Sequence, residues 1–258
     1  MIPYYKITSF DLGPITIQTW GFFVALGIIA SLAYGLYLAK QYKISSDNAL
    51  AFTIAIVIGS MIGARIFYVM LFWDDFSESL IDIFSFWTGG MVLYGGVIGG
   101  FIAGSAYVIA KKLPYKTFAD IVSICLPLGF AVGRIGCHLI KDHVGVLTSV
   151  PWGVMISESE IRHDTAIYSI LNGLVMFVVL ALLRKKIKTP GQIAIIAVLW
   201  YSVARFFIDN YRATDILGAD PRFYGLTVSQ YISIILAILT SFWLLYTYIN
   251  NQAKKKSA

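Results

Sequence analysis

The sequence TFADIVSICLPLGFAVG at 117–133 runs directly into RIGCHLIKDHVG at 134–145. An apolar run long enough to serve as a membrane helix thus ends on an arginine, a cysteine, two histidines, a lysine and an aspartate. Charge at membrane depth is expensive, and where it is kept it marks function. This stretch therefore sets two questions: what kind of chain carries it, and what the charge handles.

Composition answers the first. The chain has 258 residues, of which 58% are hydrophobic and 13% charged, with a mean hydropathy of +0.76. A soluble domain carries about a quarter charged residues, so a water-soluble core is excluded. The expected fold is an all-α polytopic membrane protein. The length allows about seven helices of roughly 20 residues each. The net charge of +6 does not indicate nucleic-acid binding, because the lysines cluster beside apolar spans.

The spans are expected at 16–38, 49–73, 88–110, 117–133, 165–183, 191–209 and 227–249. Turn chemistry separates them: KQYK at 40–43, WDDFSES at 73–79, KKLPYK at 111–116 and RKKIKTPG at 184–191. Residues 134–164 are too polar to span and too long for a tight turn. They read as a loop or small cap on an otherwise single transmembrane domain of residues 1–258. Alternate loops differ in charge. One set carries Lys40, Lys43, Lys111, Lys112, Lys116, Arg184, Lys185, Lys186, Lys188 and Lys254–Lys256; the other carries Lys6, the acidic patch Asp74, Asp75 and Glu78, then Arg134, Lys141, Arg162, Arg212 and Arg222. The lysine-rich set should be cytoplasmic, which puts the N-terminus outside and the C-terminus inside. Residues 1–15 show no apolar signal-peptide core, so span 1 is the expected insertion signal.

On this map the unusual polar residues gather toward the outer leaflet. Arg65 lies in the outer half of span 2, Tyr94 opens span 3 and Arg134 closes span 4. His163 and Tyr168 start span 5. Arg205, Asp209 and Arg212 end span 6, and Gln230 starts span 7. The spacing of i, i+4 and i+7 places Asp209 between two arginines on one helix face. Two readings stand: an ion-pair ladder that makes a charged helix end tolerable, or a carboxylate that orients two guanidinium forks to grip a phosphate. A leaflet-facing site of this composition would meet a phospholipid head group.

Glycines at four-residue spacing (Gly59 and Gly63; Gly95 and Gly99; Gly96, Gly100 and Gly104; Gly129 and Gly133) read as close helix packing. Beside Tyr94, the Gly95–Gly96 amides also suit an anion. His138 and His143, with Asp142, are too few ligands for a metal site; no metal and no cofactor is expected. His163 has the place of a base or of a helix-start hydrogen-bonding residue. Cys125 and Cys137, twelve residues apart, would lie roughly 18 Å from each other along a helix, beyond disulfide reach. Cys137 reads as structural or, beside Arg134, as a reactive thiol.

The ordered set GARIFYV at 63–69, GGMVLYGGVIGG at 89–100, GRIG at 133–136 with Gly145 downstream, HDTAIYS at 163–169, RFFIDNYR at 205–212 and GLTVSQ at 225–230 resembles the bacterial prolipoprotein diacylglyceryl transferase family. The resemblance covers most of the chain. It implies seven spans, an outside N-terminus and a cytoplasmic-membrane location with the active site toward the outer leaflet. It implies transfer of the diacylglyceryl group of phosphatidylglycerol to the thiol of a prolipoprotein lipobox cysteine, with glycerol phosphate released. Arg134 and Arg205 are then expected to stabilise the phosphate leaving group, with Tyr94 or His163 as proton acceptor for the thiol. Tyrosine has a reference pKa of about 10, which suits Tyr94 better to orienting than to deprotonating. Arg65, Gly95, Gly96, Cys137, Asp142, Tyr168, Asp209, Arg212 and Gln230 are the expected substrate-binding residues.

Several positions depart from the family pattern. Gly136 is followed by Cys137, Ile140 and Asp142 where the family has two asparagines and a glutamate. Asp164 replaces a proline, Ser169 replaces a glutamate, and Asp209 replaces a glutamate. Thr214–Asp215 stands for Pro-Asp. These departures keep two alternatives open: a related lipid transferase or hydrolase with another acceptor, and a non-catalytic lipid-binding membrane protein. A transporter should show midplane polar residues and internal repeats, and neither is seen.

Overall fold

The computed structural model describes residues 2–3, 5–77, 79–85, 89–142, 144–157, 160–216 and 219–256, the side chains of 248 and 250–256 excepted. Glu78 and His143, weighed above, lie outside the described residues.

A hairpin of β1 (Ser9–Leu12) and β2 (Ile15–Gln18) leads into α1 (Thr19–Gln41) and α2 (Ser46–Leu71). Two short 3₁₀ turns at Trp73–Phe76 and Leu80–Phe84 precede α3 (Leu93–Ala110) and α4 (Tyr115–Leu139). Strands β3 (Val144–Leu147), β4 (Val154–Ser157) and β5 (Glu160–Asp164) form a cap, followed by α5 (Thr165–Leu183) and α6 (Gln192–Asp209). A two-residue pair, β6 (Arg222–Phe223) and β7 (Leu226–Thr227), introduces α7 (Val228–Lys256). Among the described residues, seven helices are long and apolar enough to cross a membrane. The protein is a multi-pass membrane protein.

Two boundaries differ from the sequence expectation in ways that matter. Span 4 continues past Gly133 to Leu139, so Arg134, Cys137 and His138 are helical rather than part of a loop. The Arg134 guanidinium lies over the Phe130 ring one turn back, at 4.9 Å, which lets the charge stay on the helix. Span 6 ends at Asp209, so Arg212 sits in the turn beyond it, its amide bonded to the Asp209 carbonyl.

The chain divides into two compact units, residues 1–33 with 119–258, and residues 34–118. In the second, α2 and α3 pack backbone to backbone. A methyl group at Gly99 would fall on the Gly59 carbonyl oxygen, and one at Gly63 on the Gly95 carbonyl oxygen. In the first, Gly129 of α4 meets Gly27 and Ser31 of α1 in the same way. The outward helix faces are apolar: Ile54, Ile58 and Ile66 on α2, and Leu171, Val178 and Leu182 on α5, are all exposed. That is what lipid requires and water penalises.

The cap is antiparallel, in the order β3–β5–β4. Its central strand alternates: Arg162 and Asp164 point to one side and are buried, while His163 points to the other. The segment around Ile2 covers the β4 edge, with amide bonds Ile2 to Gly153 and Met155 to Ile2. The turn after α6 joins the β3 edge through Val146 to Tyr211 and Ala213 to Val144. The cap is thus stitched to the end of α6.

Candidate active site

The first unit carries a polar corner where α6 ends and α7 begins. A capping box starts α7: Thr227 Oγ1 accepts from the Gln230 amide at 3.1 Å, and Gln230 Oε1 accepts from the Thr227 amide at 3.0 Å. Such reciprocal bonds satisfy two otherwise orphaned donors. The Gln230 amide nitrogen then donates to Phe206 O and Asn210 Oδ1, both at 3.1 Å. Gln230 is 0% exposed, so here it fastens α7 to α6. The same Thr227 hydroxyl donates to Asp209 Oδ2 at 2.8 Å.

Asp209, also 0% exposed, holds the arginines. Arg205 Nη2 lies 3.0 Å from Asp209 Oδ1, and Arg212 Nη1 lies 4.0 Å from the same oxygen. Arg205 also donates to Ser229 Oγ at 3.2 Å, and Arg212 Nε pairs with Asp220 at 2.8 Å. Arg222, which sequence reasoning passed over, donates to the Asp209 carbonyl at 3.1 Å and braces the turn. The corner is crowded with positive charge. Burial pushes the Arg212 guanidinium below the ordinary arginine value; Asp220 opposes this, and the charges of Arg205 and Arg134 add to it. Arg134, on a different helix, is therefore within electrostatic reach of Arg212. Among the described residues it pairs with no carboxylate; it contacts the Phe130 ring and, at 3.8 Å, Cys137 Sγ.

The cap brings a second polar set to the end of α4. Asp164 is at once the last residue of β5 and the N-cap of α5, its Oδ1 accepting from Ala166 and Ile167 at 3.1 and 3.3 Å. Its Oδ2 meets His138 Nδ1 at 2.6 Å and Lys141 Nζ at 3.7 Å. Burial raises the Asp164 carboxyl, but the His138 bond and charge, the Ile167 amide and Lys141 outweigh it and hold its pKa below the carboxylate range. Cys137 and Asp142 share this end of α4: Asp142 donates its amide to the Cys137 carbonyl at 3.0 Å. Asp142, Lys141, Lys6 and Trp20 line a half-open cavity of about 260 Å³. Cys125 and Cys137 are both buried and free.

His163, on the opposite face of β5, packs against Tyr168 and Tyr211 with ring centroids 5.7 and 4.9 Å away. Its Nδ1 is 2.6 Å from Tyr168 Oη, which also accepts from Trp152 Nε1 at 3.0 Å. Burial lowers its pKa, so the ring is neutral at pH 7. Gly145 leaves the room for it: a methyl there would strike Tyr211 O and His163 Cβ. Arg162, counted above only as a loop charge, makes a bidentate pair with Asp215 at 2.9 and 2.8 Å and reaches Glu160 and the Gly145 carbonyl. The pair drives the exposed Asp215 carboxyl down to about 2.

The second unit holds the remaining expected residues. Arg65 is 4% exposed. Its guanidinium donates to four carbonyl oxygens, Ile83 at 2.9 Å, Gly89 at 2.6 Å, Gly90 at 3.1 Å and Asp82 at 2.6 Å, and stacks near Phe76 and Tyr68. Here it ties Asp82 and Ile83 to Gly89 and Gly90, with a cavity of about 360 Å³ alongside. Tyr94 is 39% exposed at the start of α3. The Gly96 amide is already bonded to Val92 O at 3.1 Å, and Gly95 packs against Gly63 and Phe67.

Comparison with known proteins fits this arrangement. The family model described as prolipoprotein diacylglyceryl transferase matches residues 8–246. The chain belongs to that family. It is 34% identical over 227 residues to the phosphatidylglycerol–prolipoprotein diacylglyceryl transferase of Clostridioides difficile, covering 88% of this chain and 89% of the relative. It is 32% identical to that of Finegoldia magna over 234 residues, 89% of this chain and 91% of the relative. Against the enzyme of that name from Prochlorococcus marinus MIT 9301 it is 32% identical over 282 residues, covering 96% and 95%. Its departures at 137–142, 164, 169 and 209 thus fall within a chain that matches the family over most of its residues.

Proposed function

We propose that this chain is a phosphatidylglycerol–prolipoprotein diacylglyceryl transferase. It moves the diacylglyceryl group to the thiol of a lipobox cysteine and releases glycerol phosphate. The observation that carries this is the corner of Arg134, Arg205 and Arg212. Arg205 and Arg212 share the fully buried Asp209 carboxylate, Arg212 also pairs with the part-exposed Asp220, and Arg134 pairs with no carboxylate among the described residues. Such a corner is short of negative charge, and a phosphate diester supplies it.

The chemistry follows from the geometry. The thiolate attacks the glycerol carbon that bears the phosphate; a carbon–sulfur bond forms, and the carbon–oxygen bond breaks toward the phosphate. The leaving phosphate gains charge as that bond lengthens. Guanidinium groups already held by Asp209, Ser229 and the Thr227–Gln230 box need no reorganisation to meet it. Arg205 and Arg134 take that role, with Arg212 in support. His163, neutral and fixed by Tyr168, positions Tyr211 next to Arg212. Gln230 and Asp209 act by orienting the arginines. Tyr94, Gly95 and Gly96 stay assigned to the substrate by the resemblance.

The lysine-rich loops at 40–43, 111–116 and 184–188 support a cytoplasmic C-terminus and a site that faces the outer leaflet of a bacterial cytoplasmic membrane. The test is to incubate the purified protein with labelled phosphatidylglycerol and a lipobox peptide. The peptide should gain the diacylglyceryl mass with the wild type and not with Arg134→Ala. Lipid consumed without a change in the peptide would assign another acceptor. Lipid bound but not consumed would leave a lipid-binding protein.

A further inference from the structure

The transfer reaction proposed above needs a group that takes the thiol proton, and the two residues nominated by sequence are poorly suited to it. A tyrosine is a weak base at neutral pH, which counts against Tyr94. His163 has one nitrogen 2.6 Å from the phenol Tyr168 Oη, with no carboxylate to fix its tautomer among the described residues, and its ring is packed at a tilt against two tyrosines. Elsewhere in the first unit stands a histidine–carboxylate pair. His138 Nδ1 meets Asp164 Oδ2 at 2.6 Å, across 26 residues of sequence, with the two side chains 15% and 9% exposed.

We infer that His138, oriented by Asp164, is the proton acceptor for the attacking thiol. The inference rests on the transferase reading. Three features of the pair carry it. Asp164 is fixed from four directions: two amides at the start of α5, His138 and Lys141. A carboxylate so held at a helix N-terminus stays ionised and can only accept hydrogen bonds. His138 Nδ1 is therefore the donor, and in the neutral ring the lone pair is left on Nε2. A buried carboxylate that fixes the tautomer and steadies the imidazolium is the arrangement a positioned base requires.

The location is the third feature. His138 lies four residues after Arg134 on α4, so the two side chains share one face, their Cβ atoms roughly 6 Å apart. The base is thus one helical turn from a guanidinium assigned to the leaving phosphate. The cavity lined by Lys141, Asp142 and Trp20 opens at the same helix end and gives the acceptor segment room to approach. In the step itself the thiol proton passes to His138 Nε2 and the sulfur electron pair forms the bond to the glycerol carbon. The carbon–oxygen pair leaves with the phosphate, and His138 then returns its proton to the departing glycerol phosphate. Asp164 is the positioning residue.

Three variants test this in the full-length purified protein with phosphatidylglycerol and a lipobox peptide. His138→Gln keeps a donor for Asp164 but accepts no proton; it should fold normally and lose kcat by about 100-fold or more. His138→Ala should regain part of its activity when imidazole is added, a response that a purely structural role would not give and that His138→Gln, with the space filled, should lack. Asp164→Asn still caps α5 and should lower kcat roughly 10-fold with the KM for phosphatidylglycerol unchanged, as expected for loss of an effect confined to the chemical step. A His138→Gln enzyme at wild-type rate, or an impaired His138→Ala enzyme that ignores imidazole, overturns the assignment and leaves the transferase reading intact. A wild type that never modifies the peptide overturns both.

Discussion

Two sets of arginines on membrane helices solve the same problem in opposite ways. In the second unit, Arg65 spends its guanidinium on four backbone carbonyls of one folded segment. In the first, Arg205 and Arg212 share the Asp209 carboxylate, with Asp220 beside Arg212, and Arg134, whose charge is felt at Arg212, has no carboxylate of its own among the described residues. Carbonyl oxygens neutralise no charge, but here they fill four of the five donor directions and tie a loop together. A shared carboxylate neutralises part of the charge and leaves donor directions open. Depth in the membrane therefore does not by itself mark an arginine as a ligand; the kind and number of its partners does. The largest effects expected from mutation should divide along that line.

Arg65→Leu leaves four part-buried carbonyls without that donor. Each orphaned acceptor costs about 1–3 kcal/mol, and after partial relaxation the total should be about 3–5 kcal/mol. In a chain of this size that lowers the melting temperature by roughly 10 °C. Molecules that stay folded should turn over lipid near the wild-type rate. A variant that melts like the wild type but no longer uses phosphatidylglycerol would make Arg65 a ligand and erase the contrast.

Arg205→Lys should do the reverse. An ammonium still pairs with Asp209, so the melting temperature should hold. It cannot present a planar fork to a phosphate, and kcat/KM for phosphatidylglycerol should fall by about 100-fold, within the range for loss of one preorganised donor. Unchanged kcat/KM would show that the corner is an ion-pair ladder and nothing more.

What the sequence disclosed, and what it withheld, follows the same physics. Seven spans were readable because lipid demands uninterrupted apolar runs, and the glycine spacing gave the α2–α3 contact because close approach permits no Cβ. Asp209 between two arginines was readable from local spacing, although Arg212 reaches it from the turn rather than from the helix. The Arg65 knot was not readable: its partners are carbonyls 17–25 residues away, and a carbonyl leaves no mark in side-chain chemistry. His138–Asp164 and Arg162–Asp215 were hidden because short cap strands bring their partners together over 26 and 53 residues. Two local signals did point that way, an aspartate directly before the apolar run at 165 and the T-x-x-Q capping box at 227–230.

The smallest expected effect concerns pH, and it separates the two regions once more. The carbonyl partners of Arg65 do not titrate, whereas the cap of the first unit does. His163 has its pKa lowered by burial, so the unfolded chain takes up that proton first as pH falls. Its contribution to stability is complete above the ordinary imidazole value of about 6.5 and is lost as pH drops below it. Asp164 and Asp215 are lowered too, the latter to about 2. Their contributions are complete above the ordinary carboxylate value of about 3.9 and disappear toward the folded values. The wild type should therefore lose melting temperature in two stages, one as pH falls below about 6.5 and a second below about pH 4. His163→Gln should flatten its share of the upper stage and leave the lower one unchanged. Thermal melts of the two proteins across that range read the difference directly. An upper stage that is the same in both would mean that the His163 ring takes its proton as readily in the folded cap as in the unfolded chain, and that the cap is more open to water than its packing against Tyr168 and Tyr211 implies.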